Sequence, residues 1–328
     1  MANIKSAIRA TLRQHLGIDI HRVVRQPQKE SICLLESVAN QVQELESAID
    51  QSTTRSDAIR QLRSLTLSDF GTLFLSLPNP AYPKVSSLLP GMADDITQRS
   101  WTGNSGLALL NQSVSFITSL SHHFTRITGQ HLEDKRILDF GCGYGRLLRL
   151  AYYFSDEEQV YGVDPWDRSI DLCRKAGLTK NVFMSDYLPL TLPLPESSFD
   201  LIYAFSVFTH LSERATKTCL EILRKYIAPN GVLAITVRPI DYWAMADEAV
   251  RSLYSPEIQH RMMTAHRQEG FAFVPHPGRE PVNGDITYGE TSITPEWIEA
   301  SIRDCKVVRI DRSLSDPIQI CIFLQKAP

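Results

Sequence analysis

The run KRILDFGCGYGRLLRL, residues 135–150, restricts the fold of this chain more than any other feature. Apolar Ile137 and Leu138 lead into Asp139, glycines stand at 141, 143 and 145, and a leucine-rich helical pattern begins near Arg146. Glycine accepts the backbone angles of a tight turn and lets a ligand approach the main chain. A helix that starts there turns unpaired N–H groups toward the polar end of that ligand. Strand, glycine turn and helix together form the opening unit of an α/β sheet. A dinucleotide fingerprint needs its third glycine at the sixth position of the turn. Arg146 holds that position here, and Gly145 stands at the fifth.

Downstream the same texture recurs. VYGVD, NVFMS, DLIYAF and GVLAITV are short apolar runs separated by helical stretches, the signature of a parallel sheet with helices on both faces. KVVRID and IQICIFLQ are separated only by the stretch around residues 313–317, and a short turn joins only antiparallel neighbours. The expected fold class is therefore α/β. It is a doubly wound, mostly parallel sheet with a C-terminal antiparallel hairpin, preceded by a helical N-terminal region.

In residues 31–67, which contain neither glycine nor proline, Leu34, Leu35, Val38, Val42, Leu45 and Ile49 recur at helical spacing. A second helix is expected near 56–65, and Thr66 through Asp69 form a cap for a third. Pro78, Pro80, Pro83 and Pro90 break helices and read as a linker. The expected division is 1–95, a helical region for interaction or as a lid, and 96–328, the catalytic unit. Within the latter, residues 238–294 interrupt the alternation with Pro, Gly, His and aromatic residues and read as a substrate lid.

Bulk charge narrows the partners. The net charge of -3 and pI near 6.3 give no general attraction to nucleic acid or an anionic membrane. No apolar run approaches the ~18 residues of a membrane span. The six cysteines are not spaced as metal ligands or disulfide staples, and no HExxH occurs among the nine histidines. The expectation is a cytoplasmic protein with no metal, no membrane and no nucleic acid.

Several later positions suit a nucleoside. Asp164 closes the second run roughly 20 residues past the glycines, where a carboxylate can accept both ribose hydroxyls. Asp186 follows the third run and can take an adenine amine, with Trp166 and Tyr187 as rings to pack on a purine. Singly, such acidic residues commonly cap helices. Their order and spacing carry the inference.

These residues resemble the cofactor core of the class I S-adenosylmethionine (SAM)-dependent methyltransferases over residues 136–236. The first-strand motif of that family, acidic-x-Gly-x-Gly-x-Gly, is matched by Asp139, Gly141, Gly143 and Gly145. The resemblance implies a seven-stranded sheet. It also implies a SAM site of Asp139, Gly141, Cys142, Gly143, Gly145, Asp164, Pro165, Trp166, Asp186, Tyr187 and Phe205. Pro229-Asn230-Gly231 matches the turn before strand five. In many members the chain before strand one folds over the cofactor, which brings in Trp101 and Gly103.

Methyl transfer from a sulfonium is an in-line displacement, so alignment and desolvation dominate and a base is optional. His210, just past the fourth strand, is the candidate base, with a turn-bracing role as its rival. His266, Tyr288 and Glu290 are the candidates for holding an acceptor, with His276 in the same segment. The acceptor is expected to be a small polar metabolite such as a sugar, with methylation at O, N or C. A silent SAM/SAH-binding module and an NAD(P)-dependent oxidoreductase stay as alternatives. The N-terminal helices offer a homodimer surface.

Overall fold

The computed structural model describes residues 34–178, 180–244, 254–276 and 281–328. Six helices come first: α1 (Glu36–Ala48), α2 (Arg55–Leu62), α3 (Leu67–Ser76), α4 (Pro83–Leu88), α5 (Asp95–Thr102) and α6 (Gly106–Thr128). The α/β part runs β1 (Ile137–Phe140), α7 (Arg146–Ala151), β2 (Val160–Asp164), α8 (Asp167–Lys175), β3 (Val182–Met184), β4 (Phe199–Ala204), α9 (Glu213–Tyr226) and β5 (Ile227–Val237). Then follow α10 (Asp241–Ala244), α11 (Pro256–Glu269), β6 (Phe271–Pro275), β7 (Gly289–Ile293), α12 (Pro295–Ser301), β8 (Cys305–Asp311) and β9 (Ile320–Lys326).

Seven strands form one sheet in the order β3-β2-β1-β4-β5-β9-β8. Strands β1 to β5 are parallel, and β9 runs antiparallel to both β5 and β8. The expected hairpin is present, but its second strand is the inner one, leaving β8 at the edge. Chain order reverses between β1 and β4, and the crevice outside the carboxyl ends of such a pair is where open α/β sheets bind ligands. Pro229-Asn230-Gly231 bulges from β5, since pairing jumps from Phe199–Ile227 to Leu201–Val232, with Asn230 at φ 60°.

Alternation along the strands feeds two cores. Leu138, Ile202, Leu233 and Ile235 face a cluster closed by α9 and α12. Ile137, Leu201, Val232 and Phe323 face the other, which is continuous through α6 and α7 to Val38, Val42 and Leu45 in α1. The amphipathic stripe of the N-terminal helices is thus buried within this chain's own core, α1 packing on α2 and α4.

The proline-rich stretch is ordered and packed rather than extended. Pro83 occupies the first turn of α4, where its missing N–H is no loss. Buried Glu46 caps that helix, accepting the N–H groups of Lys84 (2.9 Å) and Val85 (2.8 Å). Thr66 caps α3 through Asp69 N, as its sequence suggests. The part of the chain expected to lead into the first helix, residues 31–33, lies outside the described residues.

The insertion forms its own two-stranded antiparallel sheet, β6–β7, with α11 packed on it. Backbone bonds from Gly289 N to His210 O, Thr291 N to Thr209 O and Ile293 N to Arg238 O fix β7 to the ends of β4 and β5. It stands on the carboxyl edge of the sheet, beside the switch point.

Candidate functional site

The glycine turn is shaped from three sides. Gly141 sits at φ +81°, and a Cβ there would stand 2.4 Å from Val207 Cγ2, so the turn after β4 presses directly on it. Gly143, at φ +55°, lies under the ring of Trp101. From below, Arg149 on α7 is fully buried and spends its guanidinium on carbonyls. It donates to Tyr144 O (2.8 Å), Gly145 O (2.6 Å), Pro90 O (3.2 Å) and Gly91 O (2.7 Å). This arginine ties the turn to the proline-rich segment, a role the sequence did not reveal.

Asp139 is the third of the four residues of β1, all of them buried. Its Oδ2 and the hydroxyl of Tyr203, its register partner on β4, act on each other but have no further hydrogen-bond partner among the described residues. Burial pushes the Asp139 carboxyl up to about 8, against the pull of Tyr203 and Arg146. Buried polar atoms are normally paired, so an orphaned pair at the switch point marks a place for a polar, cationic group. Arg146 begins α7, bonds Ser113 Oγ (2.5 Å) and lies over the Phe205 ring at 5.1 Å. Burial lowers its pKa.

Asp164 accepts Gly143 N through Oδ2 (2.9 Å) and Trp166 N through Oδ1 (3.0 Å), and burial raises its pKa. Beside it Trp166 stacks on Trp101, centroids 4.8 Å apart, and Trp101 meets Tyr144 edge-on at 5.5 Å. Trp101 ends α5, which Asp94 caps and Gly103 terminates in the left-handed region. Pro165 is half-buried, while Asp186 and Tyr187 are exposed just past β3. Ser185 N bonds Asp164 O at 3.1 Å, which places that loop beside Asp164. Cys142 is buried and its thiol pKa is raised by the Cys173 contact and by burial. The structure therefore gathers the glycines, Asp164, Trp166 and Trp101 at the carboxyl ends of β1 and β2, with Asp139 at the base of the turn and Phe205 beside it under Arg146.

Residues 138–235 match the methyltransferase-domain family. Over that stretch the chain carries a methyltransferase domain. Among curated relatives, an uncharacterized protein of Rickettsia prowazekii is 32% identical over 118 residues, 35% of this chain and 47% of that one. The phosphoethanolamine N-methyltransferase of Plasmodium falciparum is 27% identical over 144 residues, 43% of this chain and 51% of that one. The chain spans about half the length of these relatives. A solved magnesium protoporphyrin IX methyltransferase of Synechocystis, with bound SAH, is 14% identical, has a TM-score of 0.42 and covers 67% of this chain and 87% of that one.

Beyond the glycine turn, a second group of polar side chains stands on the insertion and the elements it packs against. His210 Nδ1 lies 2.8 Å from Gly289 O, and its ring stacks on Tyr288 with centroids 4.9 Å apart and planes within 7°. These contacts brace the turn against β7. Glu290 is buried, its Oε2 paired with Arg238 and accepting from Tyr242 (2.9 Å). Its Oε1 lies 2.7 Å from His276 Nε2. His266 is also buried, with Nδ1 2.9 Å from Ser292 Oγ and a pKa lowered mainly by burial. Ser292 Oγ also receives Trp243 Nε1 (2.7 Å), so His266 belongs to the packing between α11 and β7. Arg238 and Tyr242 escaped the sequence reading; their place just after β5, on the ligand edge, was the available signal.

Proposed function

We propose that this chain transfers the methyl group of SAM to a small polar acceptor, at O, N or C. The observation that carries the reading is the buried Asp139 carboxyl with the Tyr203 hydroxyl at the switch point, a pair with no further hydrogen-bond partner among the described residues, next to the glycine turn. A cofactor bearing an ammonium fits that pair. Asp139 would receive the ammonium, the turn 141–145 the methionine part, Asp164 the ribose, and Asp186 with Tyr187 the adenine. Trp101 and Gly103 would close the crevice, with Pro165, Trp166, Cys142 and Phe205 lining it.

When bound, the cofactor supplies a methyl group already activated by its sulfonium. The protein's part is then to align an acceptor and exclude water. Residues 238–294, attached to the ends of β4 and β5, are suited to that task, with Tyr288 and Glu290 toward the acceptor and His210 orienting it. Residues 96–328 form the catalytic unit in this reading, and 34–95 serve mainly to cover α6 and α7, which lie on one face of its sheet. Incubating the full chain with methyl-labelled SAM and pooled metabolites tests it: label in a small molecule supports it, and label only in protein or nucleic acid contradicts the acceptor class.

A second reading, a SAM/SAH-binding module without turnover, is favoured by one contact. The Trp101 ring comes within 3.4 Å of the Cβ position of Gly143 and stacks on Trp166, filling space beside the turn. SAH binding without any labelled product from a broad acceptor pool would decide for that module.

A further inference from the structure

Three side chains that no sequence motif links meet at the carboxyl edge of β4 and β5. His210 comes from the turn after β4, His276 directly follows β6, and Glu290 lies on β7. One donor atom from each lies within 4.8 Å of the others. We propose that His210, His276 and Glu290 bind a divalent transition-metal ion of the zinc type, at the edge of the sheet where the acceptor is proposed to sit.

The spacing suits such an ion. Glu290 Oε1 is 2.7 Å from His276 Nε2. His210 Nδ1 donates to the Gly289 carbonyl, which leaves Nε2 as its donor. Neighbouring donors in a tetrahedral shell around an ion held at roughly 2.1 Å stand about 3.4 Å apart, so modest side-chain shifts close the shell.

The donor chemistry selects the ion. Two imidazoles and one carboxylate oxygen suit zinc, cobalt or nickel, whereas magnesium and calcium favour several oxygens. Arg238 pairs with Glu290 Oε2, which cancels the local negative charge and further disfavours hard cations. The same arginine and Tyr242 hold the carboxylate so that Oε1 turns to the histidines. The Gly289 carbonyl fixes the His210 ring. Outer partners of this kind orient metal ligands.

The two histidine side chains retain 18% and 22% exposure, so an ion has a path from solvent. Three protein donors leave a position open, the arrangement of an ion that accepts an external ligand rather than of a closed structural site.

Metal-stripped full-length protein is titrated with Zn²⁺ by calorimetry, with Mg²⁺ as control and Co²⁺ visible absorption as the coordination readout. One Zn²⁺ per chain is expected, no Mg²⁺, and a Co²⁺ spectrum of N/O ligation. His276→Ala or His276→Gln should abolish the step, Tyr242→Phe should weaken it by about 10- to 100-fold, and His122→Ala should leave it unchanged. No stoichiometric Zn²⁺ binding by the wild-type chain overturns the proposal, whatever the variants do. So does binding that survives in a folded His276 variant.

Discussion

One carboxylate, Asp164, holds the backbone of Gly143 at 2.9 Å while its other oxygen holds Trp166. The second strand thereby sets the position of a turn that belongs to the first. A ribose placed between them would meet an acceptor already aligned by the protein. Asp164→Ala should therefore weaken SAH binding both directly and by releasing the turn. Charge-assisted bonds contribute about 1.5–3 kcal/mol, so a tenfold to hundredfold loss is expected by calorimetry. Asp164→Asn, which keeps an acceptor for Gly143, should lose less. Equal, near-zero losses in both variants would remove Asp164 from the site.

A cofactor whose ammonium meets Asp139, as proposed, would make its binding a proton-linked event. The Asp139 carboxyl is pushed up to about 8 by burial, so near pH 7 it is largely protonated in the free protein. A cation placed against it favours ionisation, so binding should release up to one proton. Calorimetry near pH 7 in buffers of different ionisation enthalpy should give different apparent heats, and Asp139→Asn should remove the difference. Heats independent of buffer would show that no cation reaches Asp139.

The same group affects stability with a definite sign. A raised folded pKa means that the native state holds the proton more tightly than the unfolded chain. The contribution is full below about pH 4 and is lost as pH rises through about 8. Denaturant titrations should show Asp139→Asn gaining relative to wild type across that window. A constant difference at all pH values would refute the assignment.

Trp101 should report on the crevice. Its stack on Trp166 and contact over Gly143 place it where a cofactor would change its surroundings. Tryptophan fluorescence should shift on adding SAH, and Trp101→Ala should lose most of that signal. If Trp101 closes the site, the variant binds about three- to tenfold more weakly, the range of one aromatic contact. Tighter binding by the variant would instead mark Trp101 as a plug.

Arg149 organises the turn through four backbone carbonyls. Arg149→Met leaves several buried acceptors unpaired, each worth about 1–3 kcal/mol. A loss of at least about 3 kcal/mol is expected in chemical denaturation. A loss below about 1 kcal/mol would show that water replaces the guanidinium.

Much of this was legible in the sequence because it is local. The glycine turn, the Asp164 position and the alternation of runs each need only a short window, and the hairpin followed from the short connection between its strands. The proline-rich stretch misled because proline was read as a helix breaker, whereas Pro83 starts α4 and Pro90 O and Gly91 O accept from Arg149. The inner place of β9 depends on sheet order, which no window contains. His276, Glu290 and Arg238 meet only through β6–β7 pairing and the docking of β7 on the turn after β4. His266 looked like an acceptor ligand from its neighbourhood in sequence, yet the α11 face it occupies turns it toward Ser292.

The most direct measurement is calorimetry of the full chain with SAH and, separately, with NAD, repeated on Asp139→Asn. The expected result is one SAH per chain, no NAD binding, and much weaker SAH binding by the variant. Stoichiometric NAD binding with no SAH binding would contradict the assignment of this crevice.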